Sequence, residues 1–361
     1  RSPTNYGDFQ DKVDAIIKNV RDNGDKAVFD YTAQFDKAEI NADNILVTEE
    51  EIKEAYEEVD DELIKVIRKA IKNIRDFHEK QIQKSWFETR EDGVMLGQKV
   101  TPMETCGVYV PGGKAVYPSS VLMNIVPAHV AGVKNIIMTT PPGKDGKVTA
   151  NTLVAAKEAG ATKVYKVGGA QAIAAMAFGT ESIPKVDKIV GPGNIFVALA
   201  KKAVYGNVSI DSIAGPSEIL VLADETANPR YVAADLLSQA EHDEMASAIL
   251  VTTSEELAHK VSDEIDGFLN QLSRKEIMEK SLDSFGYILV ASDMKEAIDT
   301  ANAIASEHME IMTANPFDVM TRIKNAGAIF IGAYSCEPLG DYFAGPNHVL
   351  PTNGTAKFFS P

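Results

Sequence analysis

Polar side chains able to hold a metal or move a proton gather at a few points in the C-terminal half of the chain. Gln239 and His242 stand three apart in Leu236-Leu237-Ser238-Gln239-Ala240-Glu241-His242-Asp243. On a helix that spacing turns both to one face. Glu307 and His308 are adjacent and read as a short polar turn before Met309-Glu310-Ile311. Asp341 and His348 flank a glycine-containing loop. Imidazole with carboxylate and carbonyl oxygens suits Zn2+ or a similar divalent ion. Imidazole, with an ordinary pKa of about 6.5, also suits removal of a hydroxyl proton. The opposing reading of the helix pair is a solvated helix end, because glutamine is an uncommon ligand. No HExxH and no closely spaced cysteine pair decides between them. The other histidines read as structural: His78 and His259 solvated in charged helical stretches, His129 in the core on a mostly apolar helix.

Glycine-rich turns form a second group. Pro111-Gly112-Gly113, Pro141-Pro142-Gly143, Gly168-Gly169-Ala170-Gln171 and Gly191-Pro192-Gly193-Asn194 each follow a short apolar run. Helix N-termini after such turns expose unpaired N–H groups and suit phosphates. None has the G-x-G-x-x-G spacing, and glycine is also the default residue of any tight turn. The last two follow consecutive strands in one half of the chain, where they can face one crevice at a sheet's carboxyl edge. A nucleotide site there is the expectation.

The elements that must position these residues alternate. Val108-Tyr109-Val110, Asn135 to Met138, Lys163 to Val167 and Lys188 to Val190 are separated by helical stretches, the pattern of parallel βαβ units. A second series runs through Glu218 to Leu222, Ala248 to Val251, Tyr287 to Val290 and Ala328 to Ile331, with the break near Gly215-Pro216-Ser217. Ahead of both, Phe9, Val13, Ile16, Ile17 and Val20 follow helical spacing, and residues 1 to about 85 read as helical. Thr48-Glu49-Glu50-Glu51 is a capping box. Trp86 to Val100, broken by Glu91-Asp92-Gly93, reads as a hairpin.

A chain of 361 residues exceeds one ordinary core, so two domains are expected. Hydrophobic residues at 45% and charged residues at 24% describe a globular protein. The net charge of −16 argues against nucleic acid and anionic membrane as partners. No apolar run reaches about 18 residues, the length of a membrane span. No signal-peptide pattern follows Arg1, a start that reads as trimmed. Cys106 and Cys336 are the only cysteines, which points to a reducing cytoplasm.

Together the stretches CGVYVPGGKAVYPSSVLMNIVPAHVAGV, VGGAQAIAAMAFGT, GPGNIFVALAKK, AGPSEILVLAD, LLSQAEHD, SEHMEI and LGDYFAGPNHVLPTNGTAKFFSP resemble the histidinol dehydrogenase family, from about Tyr6 to Pro361. The resemblance implies an α/β fold with two Rossmann-like domains behind an N-terminal helical region: 109–217 for NAD, and 1–108 with 218–361 for metal and substrate. It implies oxidation of L-histidinol to L-histidine through the aldehyde, with NAD, one zinc ion per subunit and a homodimer. It assigns Gln239, His242 and Asp341 to the metal, Glu307 and His308 to acid–base chemistry, and Tyr109, Gln171 and Asn194 to the cofactor. Ser217 and His348 become substrate contacts, joined by Gln239, His242, His308 and Asp341. A thiohemiacetal on Cys106 is the disfavoured rival route, since a thiol in an apolar strand is inert. Family members continue beyond Pro361 into a segment bearing a further histidine ligand and a substrate-contacting glutamate of the partner's site. The chain as given is therefore expected to have a weak metal site and impaired turnover. The rival functions are oxidation of another small alcohol and a catalytically inactive binding protein.

Overall fold

The computed structural model describes residues 7–112 and 118–360, so Gly113 of the first glycine turn lies outside it. The chain forms two compact units, one of Gly7–Asp211 with Tyr342–Val349, the other of Ser212–Asp341 with residues 350–360. No helix among the described residues is long and apolar enough to cross a membrane.

The first unit runs α1 (Gly7–Phe35), α2 (Glu49–Glu58), α3 (Asp61–His78), β1 (Trp86–Thr89), β2 (Met95–Gln98), β3 (Thr105–Tyr109), α4 (Pro118–Val130), β4 (Asn135–Thr140), α5 (Ala150–Ala159), β5 (Lys163–Lys166), α6 (Gly169–Phe178), β6 (Lys188–Val190), α7 (Ile195–Val204) and β7 (Ser209–Ile210). The Thr48 capping box forms: the Glu51 N–H donates to the Thr48 hydroxyl at 3.2 Å, and the Thr48 N–H donates to the Glu51 carboxylate at 2.9 Å. In α3, Ile64, Ile67, Ile71 and Ile74 recur at helical spacing and are buried. β1 and β2 make the expected hairpin, whose side chains are all exposed. The five parallel strands lie in the order β5-β4-β3-β6-β7. The order reverses between β3 and β6, where α/β sheets open a crevice at the carboxyl ends.

This division differs from the one expected at 108/109. That boundary falls within β3, the middle strand of the first sheet. α1 packs on α6 and α7, and α3 on α4, so residues 7–108 complete the first unit's core. Residues 342–349 also join it: the Asn73 side chain donates to the Phe343 carbonyl, and the Asn347 side chain to the Met123 carbonyl, each at 2.8 Å.

The second unit runs β8 (Glu218–Ala223), α8 (Pro229–Ala240), β9 (Ser247–Thr252), α9 (Glu255–Leu269), α10 (Lys275–Phe285), β10 (Gly286–Val290), α11 (Met294–Ile304), β11 (His308–Met312), α12 (Pro316–Arg322) and β12 (Ala328–Ile331). Its parallel sheet has the order β10-β9-β8-β11-β12, the same winding. β8 is buried along its whole length, as a strand covered on both faces must be. Of the segment expected to be a polar turn, Glu307 lies in a bend and the strand begins at His308. His308 opens β11, paired with Ile219 on one side and Ala328 on the other. Hydrogen bonding to two neighbours overrides the polar character of His308 and Glu310.

Candidate active site

The second unit gathers its polar groups at the amino ends of its strands. Glu218 and His308 are the first residues of β8 and β11, and Ser217 immediately precedes β8. The Ser217 carbonyl accepts the Ser247 N–H at 2.9 Å, which places Ser217 level with the start of β9. His308 is buried. Its Nδ1 lies 3.1 Å from the Glu218 carbonyl, its Nε2 lies 3.2 Å from an Asp341 carboxylate oxygen, and Glu307 Oε2 is 3.6 Å from Nδ1. Glu307 is fixed in turn, accepting the Glu218 N–H at 2.9 Å. Glu337 completes the group: ligand atoms of His308, Glu337 and Asp341 all lie within 4.8 Å of one another.

Electrostatics follow from this packing. Burial pushes Glu307 up to about 7, opposed by the neighbouring His308. Burial alone would lower His308, but Glu307 and Asp341 hold its proton up to about 10. Glu337 is pushed up by burial and by Asp341. Behind them Glu310, two residues along β11, is pushed up by burial and by Asp235 of α8. It accepts the Glu337 N–H at 3.0 Å and so anchors the segment that carries Asp341.

Gln239 lies in the last turn of α8, and His242 stands in the turn beyond its end at Ala240, so the pair does not share a helix face as expected. Gln239 is 1% exposed, and its buried Oε1 has no hydrogen-bond partner among the described residues. His242 is exposed, with Nδ1 2.8 Å from the Ser238 carbonyl. A carbonyl only accepts, so Nδ1 donates there and Nε2 is the nitrogen left for a metal. An amide oxygen, an imidazole and buried carboxylates are donor types that suit a zinc ion; among the described residues the group that converges is His308, Glu337 and Asp341, without His242.

The first unit carries a cavity of about 720 Å³ at the carboxyl edge of its sheet. Tyr109, Gln171 and Asn194 all line it. The buried Tyr109 hydroxyl accepts the Gly169 N–H at 3.2 Å. Gln171 is 1% exposed, and neither of its amide atoms has a hydrogen-bond partner among the described residues. Asn194 caps α7, its Oδ1 accepting the Phe196 and Val197 N–H groups. Gly169 has φ +65, and a Cβ on Gly168 would meet Pro141 at 2.5 Å. The size is typical of a small-molecule site, and the orphaned amide and the glycine turns leave room for a dinucleotide's polar groups.

A family model described as histidinol dehydrogenase matches residues 1–361. The chain belongs to the histidinol dehydrogenase family. Histidinol dehydrogenase from Bacillus subtilis (strain 168) is 61% identical over 349 residues, covering 97% of this chain and 81% of the relative. That from Clostridium acetobutylicum is 60% identical, covering 97% and 80%. The crystal structure of histidinol dehydrogenase from Elizabethkingia anophelis superposes with a TM-score of 0.95 at 42% identity, covering 100% of this chain and 83% of that one. This histidinol dehydrogenase family member is an oxidoreductase of histidine biosynthesis.

Several placements depart from the sequence reading. His78 is buried, with Nδ1 2.6 Å from the Gln81 side chain, and His129 is exposed. His348 belongs to the first unit, where its ring lies 6.2 Å from that of Tyr342. Glu337, Glu310 and Asp235 went unnoticed in sequence. Two periodicities could have revealed them: Glu310 shares a strand face with His308, and Glu337 stands four before Asp341 on a helical turn. Cys106 is buried and its thiol is pushed up to about 12, so it is no nucleophile at neutral pH.

Proposed function

We propose that the chain oxidises L-histidinol to L-histidine in two hydride transfers to NAD+, with zinc as the resident metal. The observation that carries this reading is His308, held between Asp341 and the Glu307–Glu218 pair at the mouth of a buried donor cluster. His308 takes the alcohol's hydroxyl proton as hydride leaves for NAD+, giving the aldehyde. Glu307 then removes a proton from water adding to the aldehyde carbonyl. The hydrate loses a second hydride to another NAD+ and a proton to the base, giving the carboxylate. Gln239, His242 and Asp341 would hold the zinc ion, which when bound supplies Lewis acidity and a template for the substrate's nitrogens. Tyr109, Gln171 and Asn194 receive the cofactor. Ser217 and His348 are the remaining proposed substrate contacts.

Two further readings accompany it. The exposed apolar side chains of the hairpin, Trp86, Phe87, Met95 and Leu96, suit burial against a second copy in a homodimer. The free thiols of Cys106 and Cys336 suit a reducing cytoplasm. The deciding experiment counts NADH formed against histidinol consumed. About two NADH per histidinol is expected from two hydride transfers; one per histidinol, or faster turnover of a non-imidazole alcohol, would overturn the assignment.

A further inference from the structure

The cavity of the first unit has a second wall. Besides the sheet's glycine turns, it is lined by Tyr31, Phe35 and Asp36 at the end of α1. Asp36 is an unusual residue to find there. It follows the last turn of α1, its N–H donating to the Thr32 carbonyl at 2.9 Å, so its carboxylate sits at the negative end of the helix dipole. Its Oδ2 is buried and has no hydrogen-bond partner among the described residues. Burial holds the acid up to about 6. Dipole repulsion, desolvation and an unmade hydrogen bond all cost folding free energy, and among the described residues no hydrogen bond to Oδ2 offsets them. A ligand donor would.

In dinucleotide-binding α/β folds the acid that accepts the ribose hydroxyls stands at the end of the second strand. Here that strand, β4, ends in Thr139-Thr140-Pro141-Pro142-Gly143, which offers no carboxylate. Asp36 lines the same cavity as Gln171 and Gly169 at the α6 N-terminus. Beside it Tyr31 and Phe35 stack at 5.6 Å with rings 8° apart, a flat face for a purine. We propose that Asp36 accepts the hydroxyls of the adenosine ribose and thereby selects NAD+ over NADP+. A 2′-phosphate would remove one donor and set a dianion against the carboxylate. This rests on the cofactor reading of the cavity.

The test is calorimetric titration of the intact protein with ADP-ribose and with 2′-phospho-ADP-ribose. Wild type, Asp36→Asn, Asp36→Ala and, as a control on the cavity, Gln171→Leu are compared. Wild type is expected to favour ADP-ribose by about 10- to 100-fold, the worth of a hydrogen bond to a charged group. Both Asp36 variants should lose most of that preference while melting no lower than wild type, since a costly buried acid has been removed. A purely structural Asp36 would instead lower the melting point and leave the preference unchanged. If Gln171→Leu weakens ADP-ribose but the Asp36 variants keep the wild-type preference, this proposal fails and the cofactor reading stands. If ADP-ribose does not bind wild type, or ignores Gln171→Leu, both fail.

Discussion

His308 faces three oxygens at hydrogen-bond range or just beyond it, which holds its proton well above the ordinary imidazole range. Between about pH 7 and 10 Glu307 is ionised while His308 is still protonated, so in the metal-free site the base must first give up a proton. Zinc on Asp341 would take over part of that hold, so turnover should rise with pH along a limb that ends below about 10. Replacing His308 by Asn preserves a donor for the Glu218 carbonyl but no titrating base. It should fold normally, lower kcat by ~10²–10⁴, and flatten the rising limb of the pH profile. An unchanged kcat would remove His308 from the chemistry. At this scale the sequence was informative about which residues matter and silent about how they are held. Glu307, His308 and Asp341 were singled out, but Glu337 and Glu310 were not. A glutamate within a strand or beside a proline looks like surface until the fold buries it.

Elements set the distances between such residues, and the turn after β6 shows how. Gly191 has φ +115, and a Cβ there would lie 2.1 Å from the Tyr109 carbonyl oxygen on β3. The turn is clamped from outside: the Gly191 N–H donates to Asp211 at 2.8 Å, Lys201 donates to the Gly191 carbonyl at 2.9 Å, and Lys201 pairs with Asp211. Gly191→Ala must push the turn away from Tyr109, at a cost of about 1–3 kcal/mol in stability. It should raise KM for NAD+ more than it lowers kcat, because the turn borders the cavity and not His308. Equal KM values for variant and wild type would show that this turn does not shape the cofactor site. Glycine turns, apolar strands and the Thr48 box were all readable, because each is a local pattern. β11 was not, since its pairing with β8 and β12 is a property of chain segments about 90 and 20 residues away. Nor was the side of the sheet: the usual crevice lies at carboxyl ends, whereas His308 and Glu218 lie at amino ends.

For the whole chain, the interior of the second unit decides how stability follows pH. Folded Glu307 keeps its proton up to about 7 against an ordinary value of 4.5, and Glu310 and Glu337 are shifted the same way. Folded His308 keeps its proton up to about 10 against 6.5. In each case the folded form binds more protons than the unfolded form, from the ordinary value up to the folded one. Stability is therefore fullest in mild acid and is lost as pH rises through that window. The net charge of −16 adds self-repulsion in the same direction. A divalent ion among these carboxylates takes the place of the protons, so it binds more tightly as pH rises and releases protons as it does. The metal-free protein should thus melt several degrees lower at about pH 9 than at about pH 6, since about 1 kcal/mol moves a midpoint by roughly 2–4 °C in a protein of 150–250 residues. Saturating zinc should flatten that fall, giving its larger stabilisation at the higher pH. Thermal melts with and without chelator across this range make the comparison, and a metal-free midpoint that climbs from pH 6 to pH 9 would mean the buried carboxyls are not protonated in the folded state.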